Sequence, residues 1–63
     1  MKKQFNISYN DGAHYGVMTC RNMSPDEIEQ AIQAEISENN DHQSKYANHT
    51  LYHIGRENFT ELN

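Results

Sequence analysis

The stretch SYNDGAHYG, Ser8 to Gly16, decides the fold. Asn-Asp-Gly between alternating apolar residues marks a β-hairpin turn. Two loop lengths compete for it. A two-residue loop, Asp11-Gly12, pairs Tyr9 with His14, Ile7 with Gly16 and Phe5 with Met18. A three-residue loop, Asn10-Asp11-Gly12, is a type I turn closed by a left-handed Gly bulge. It pairs Tyr9 with Ala13, Ile7 with Tyr15 and Phe5 with Val17. Period-two alternation favours the longer loop. It gathers Phe5, Ile7, Tyr9, Ala13, Tyr15 and Val17 on one face and sends His14, Gly16 and Met18 to the other.

Downstream, MSPDEI carries the strongest local signal in the chain. Ser24 is the N-cap, Pro25 the first helical residue, and Glu27 completes a capping box. Met23 is placed to staple onto Ile28, and Asp26 and Glu27 suit the positive end of the helix dipole. Ile28, Ile32 and Ile36 form one narrow apolar stripe, with Ala31 beside it. The pattern predicts a helix ending near Glu38–Asn40, then a polar loop over 39–48. HTLYHI, residues 49–54, has strand composition, with Tyr52 and Ile54 favoured inward. The tail RENFTELN reads as a continued strand or as one helical turn with Phe59 and Leu62 packing back.

The expected order is β-β-α-β within a single α+β domain, residues 1–63. Strand three pairs with strand one, giving a three-stranded antiparallel sheet of order 2-1-3. One helix packs across one face, and both outer edges stay open.

A chain of 63 residues, 35% of them hydrophobic, buries little surface and builds a thin core. Cys20 is the only cysteine, so no internal disulfide staples the fold. That usage fits a reducing compartment. No apolar run follows Lys2 and Lys3, and no segment has the length of a membrane helix. The reading is of a cytoplasmic protein without membrane contact.

Charge is segregated along the chain. Residues 24–41 hold Asp26, Glu27, Glu29, Glu35, Glu38 and Asp41 and no base, against a net charge of −4 for the whole. Asp26, Glu27 and Glu38 fall opposite the isoleucine stripe, and Glu29 and Glu35 flank it. The i,i+4 lysines that would balance such a face are missing from that span. A solvated face that maintains solubility is the plain reading. The sharper one is a contact surface that steers a basic partner.

Little else points to chemistry. His49 and His53 on one strand face lie about 13 Å apart, too far to share a metal, and HTLYH lacks the Glu of a zincin motif. Cys20 reads as a small buried hydrophobe. No glycine-rich phosphate loop is present, and five basic residues against nine acids make no phosphate-tracking stripe. No catalytic residue, metal or cofactor is expected, and no direct nucleic-acid contact.

The hairpin followed by Ser24-Pro25-Asp26-Glu27 and a helix resembles the small antitoxin domains of the HicB type. The shared features are turn and cap chemistry, so no functional residue is carried across. The leading expectation is a small acidic, non-catalytic protein. It would bind and inhibit or modulate a larger basic protein or nucleoprotein complex. In size and charge it is similar to phage and mobile-element accessory proteins that act against host nucleases, CRISPR complexes or restriction enzymes. Asp26, Glu27, Glu29 and Glu38 are the expected partner-binding charges; His14, Met18 and Tyr52 are the expected apolar or stacking contacts on exposed surface. The alternatives are an antitoxin-like or structural homodimer, and a small metal- or nucleotide-binding domain.

Overall fold

The computed structural model describes residues 1–45 and 53–62. Its elements are β1 (Lys2–Ser8), β2 (His14–Arg21), α1 (Pro25–Ser44), a single 3-10 turn (Arg56–Asn58) and β3 (Phe59–Leu62). The sheet order is β2-β1-β3, and both pairings are antiparallel. The fold is therefore the α+β arrangement β-β-α-β, with the helix on one face of an open sheet.

The hairpin uses both candidate registers, one after the other. At the tip the loop holds three residues: the Tyr9 amide donates to the Ala13 carbonyl (2.7 Å) and the Gly12 amide to that of Tyr9 (2.9 Å). Gly12 takes φ +88°, the left-handed conformation that glycine adopts without steric cost. The Asp11 carboxylate accepts from the Ala13 amide and stiffens the turn. Ser8 still faces His14, but Ile7 faces Gly16 and Phe5 faces Met18. Tyr15 is the extra residue, bulged out of the ladder.

This shift corrects the expected face of β2. Tyr15 and Val17 turn to solvent, 39% and 50% exposed. Met18 packs against the core and Cys20 is buried. The apolar alternation on β2 was ambiguous: Tyr15 and Val17 share one parity, Met18 and Cys20 the other. The bulge gives burial to the second pair.

Phe5, Ile7, Cys20, Ile28, Ile32, Ile54 and Phe59 form the buried core, with Tyr9, Met18 and Ile36 packed against it. A side chain buried this way contributes on the order of 2 kcal/mol. The helix start is as expected: the Glu27 amide donates to the Ser24 hydroxyl, and the Glu27 carboxylate accepts from the Ser24 amide. Its end is not. α1 continues to Ser44, through the Asn-rich stretch expected to stop it. Asn39 and Gln43 are buried there. Asn40 holds both backbone groups of Ile54, accepting its N–H and donating to its carbonyl, each at 2.9 Å. One amide of this polar segment, that of Asn40, thus ties the end of the helix to a distant stretch of backbone by hydrogen bonds.

The expected third strand at 49–54 is also corrected. Residues 49–52, Tyr52 among them, lie outside the described residues, and His53 and Ile54 are not in a strand. Ile54 is nonetheless buried, as expected. The strand is supplied by the tail instead. One helical turn comes first, then β3, with Phe59 buried opposite Ile7 and Leu62 on the outer face opposite Gln4.

Candidate functional site

The acids of α1 fall into two groups by what already holds them. Glu27 belongs to the capping box, where the Ser24 backbone and then the Ser24 hydroxyl hold its carboxyl below the usual range. Glu29 is not a free charge. Both its oxygens accept from Arg56, at 3.1 and 3.0 Å, a bidentate pair between α1 and the 3-10 turn. That contact lowers the Glu29 pKa and raises that of Arg56. Asp41 meets Lys45 one turn on, at 3.4 Å. The helix therefore has one i,i+4 lysine, just beyond the stretch in which none was found.

Asp26, Glu35 and Glu38 make no ion pair among the described residues. Asp26 lies in the first turn, where the helix dipole favours a negative charge. Glu35 and Glu38 have no such compensation. They stand three residues apart, neighbours on the helix surface, where like charges repel. Glu38 is exposed and Glu35 half-buried. The sequence reading placed Glu35 beside the stripe without separating it from the acids that the fold neutralises. The i,i+3 spacing was the available signal; the pairing of Glu29 with Arg56 was not visible.

Two of the remaining expected contacts, His14 and Met18, lie on β2. His14 is exposed at the start of β2, beside the hairpin tip. Met18 is half-buried on the core side of the sheet, packed against the core. Tyr52 lies outside the described residues.

The opposite surface of the molecule was missed altogether. The uncovered sheet face alternates with the core and carries Lys2, Gln4, Asn6, Val17, Thr19, Arg21, Thr60 and Leu62. Lys2 and Arg21 stand directly opposite each other on it, and neither makes an ion pair among the described residues. No acid shares that face. Lys3 points the other way and meets Glu61 at 3.6 Å. The acidic helix ridge is therefore not neutralised by Lys2, Lys3 or Arg21. The correct register was needed to see that the two broad surfaces carry opposite charge.

Among the described residues no group of three His, Cys, Asp or Glu side chains could hold a metal ion. His53 instead lies 3.5 Å from the Ser44 hydroxyl. No described helix is long and apolar enough to cross a membrane. A cleft of about 190 Å³ opens between the sheet and the start of α1, lined by Met1, Lys3, Cys20, Met23, Pro25 and Ile28. It is mostly apolar and has no cluster of convergent polar groups. Comparison with known protein families, with curated proteins and with solved structures gives no match.

Proposed function

We propose that the chain is a small, acidic, non-catalytic binding protein that docks the exposed face of α1 on a larger basic partner, inhibiting or modulating it. A protein or nucleoprotein complex that handles nucleic acid has the surface charge this reading requires. The observation that carries it is the Glu35–Glu38 ridge. Two like charges are kept side by side on a helix, with no lysine or arginine among the described residues paired to them, while Glu29 and Asp41 on the same helix each have one. Such a ridge costs a few tenths of a kcal/mol in isolation. An arginine-rich partner surface would turn that cost into charge-assisted hydrogen bonds and faster encounter.

The test is affinity capture at low and high salt, with mass spectrometry of what is retained. The unaltered chain should retain a basic protein at low salt and release it as salt rises. A Glu35→Lys, Glu38→Lys double variant should retain none of it. Equal capture by the two would reject the helix as the docking face.

A further inference from the structure

We propose that the free edge of β2 pairs with the same edge of a second copy, antiparallel about a two-fold axis at Thr19, in a six-stranded sheet ordered β3-β1-β2-β2-β1-β3. This interface is separate from the acidic ridge of α1, and neither reading depends on the other.

Among the described residues β2 is one rim of the sheet and β3 the other. An exposed edge is commonly blunted by lysine, proline or a bulge. β2 has its bulge at Tyr15, near its start. From Gly16 to Arg21 it runs regularly, with no proline, no lysine and a single charge at its last position. β3 is only four residues long. An axis at Glu61 would set two carboxylates against each other, and one at Thr60 would set Phe59 against Glu61. Self-pairing therefore favours β2.

Face parity narrows the register. Residues directly opposite in an antiparallel pair share a face, so the axis must pass through a residue. In the regular stretch the central choices are Met18 and Thr19. The Thr19 axis sets Met18 of one copy beside Cys20 of the other, on the core side of the sheet. Cys20 lines the apolar cleft with Met23 and Ile28. Methionine, unbranched and flexible, fills such irregular space well. The Met18 axis would bring Gly16 there, with no side chain to offer. On the outer face the Thr19 axis lays the stem of Arg21 over the half-exposed Val17 of its mate, and sets Thr19 against Thr19, a favoured cross-strand pair. The two Arg21 charges fall at opposite ends of the ladder, about 13 Å apart along the strand, farther than the screening length of about 8 Å at physiological salt.

Five paired residues make this a small contact, so the dimer is weak and its population depends on concentration. Light scattering of the full chain, in a concentration series up to millimolar, should rise from the mass of one chain to that of two. Thr19→Lys changes an exposed side chain and places two ammonium groups together at the axis; it should hold the chain monomeric throughout. Thr60→Lys on β3 should leave the dimer unchanged. In a Cys20→Ala background, Thr19→Cys should cross-link under mild oxidation faster than Met18→Cys. Should Cys20→Ala prevent folding, amide exchange of the unaltered chain gives the same answer: protection of β2 should grow with concentration while that of β3 stays constant. A single-chain mass at every concentration, a dimer that survives Thr19→Lys, faster cross-linking through Met18→Cys, or protection gained on β3 would each overturn the proposal. Reversing Glu35 and Glu38 should leave the mass unchanged, and Thr19→Lys should leave capture of a basic partner unchanged, so the two readings fail separately.

Discussion

From Pro25 to Ile36, α1 presents isoleucines to the sheet; from Glu38 to Ser44 it presents amides. The first half is capped by Ser24 and Glu27 and seated by Ile28, Ile32 and the half-buried Ile36. The second half is held by Asn40, clamped on the Ile54 backbone, with Asn39 and Gln43 buried in the same half. Apolar seating acts through area and tolerates small shifts in position. Amide seating acts through direction: each hydrogen bond contributes about 1 kcal/mol net, and a buried group left without its partner costs more. The two halves of one helix should therefore respond to substitution in different ways.

The largest effect is expected at Ile32, the most deeply buried side chain. Ile32→Ala should cost about 3 kcal/mol, lowering Tm by roughly 15 °C for a domain of this size. Loss should be global, with both halves of α1 melting together in thermal denaturation followed by circular dichroism. Asn40→Ala should cost about 2 kcal/mol, because it leaves the Ile54 N–H and carbonyl without their partners. Here the loss should be local: amide exchange should quicken at Ile54 and over 39–44 while 28–36 keeps its protection. If both substitutions melt the helix uniformly, the distinction between its halves fails. Ser24→Ala should cost about 1 kcal/mol and fray the first turn alone.

The smallest effect is on pH dependence. Glu27 and Glu29 both titrate below their ordinary value in the folded chain, through hydrogen bonds from Ser24 and Arg56 respectively. A carboxyl depressed on folding stabilises the fold above its unfolded pKa of about 4.3. That contribution is lost as pH falls through the lowered folded value. Tm should thus be flat near neutrality and fall slightly below about pH 4.3. Glu27→Gln and Glu29→Gln should each make the fall shallower. Salt should weaken the Glu29 part, an exposed ion pair, more than the Glu27 part, a bond to backbone.

These contrasts explain how much was legible in the sequence. The strand order, the three-residue turn and the capping box follow from local chemistry that leaves a mark on neighbouring residues. The amide half of α1 leaves none. Asn40 looks like loop until Ile54, a distant residue in the chain, brings its backbone to it. The face of β2 was misread because Met18 and Cys20 balance Tyr15 and Val17, and a single extra residue decides between them. The third strand was placed too early because HTLYHI has the composition of a strand, whereas FTEL is short and half polar and forms one by lying along β1. Among the acids, charge was readable but pairing was not: only the fold brings Arg56 to Glu29.

A three-residue tip followed by one bulged residue restores the strand alignment that a two-residue tip would have given directly. The tip and the body of the hairpin are thereby out of step with each other and joined at Tyr15. The tip from Asp11 to Ala13 can be redesigned or given a grafted peptide without renumbering the ladder from Ile7 and Gly16 downward, whereas Tyr9 packs on the core and Asn10 accepts from Asn58. For anyone building on this scaffold, Tyr15 is the splice point.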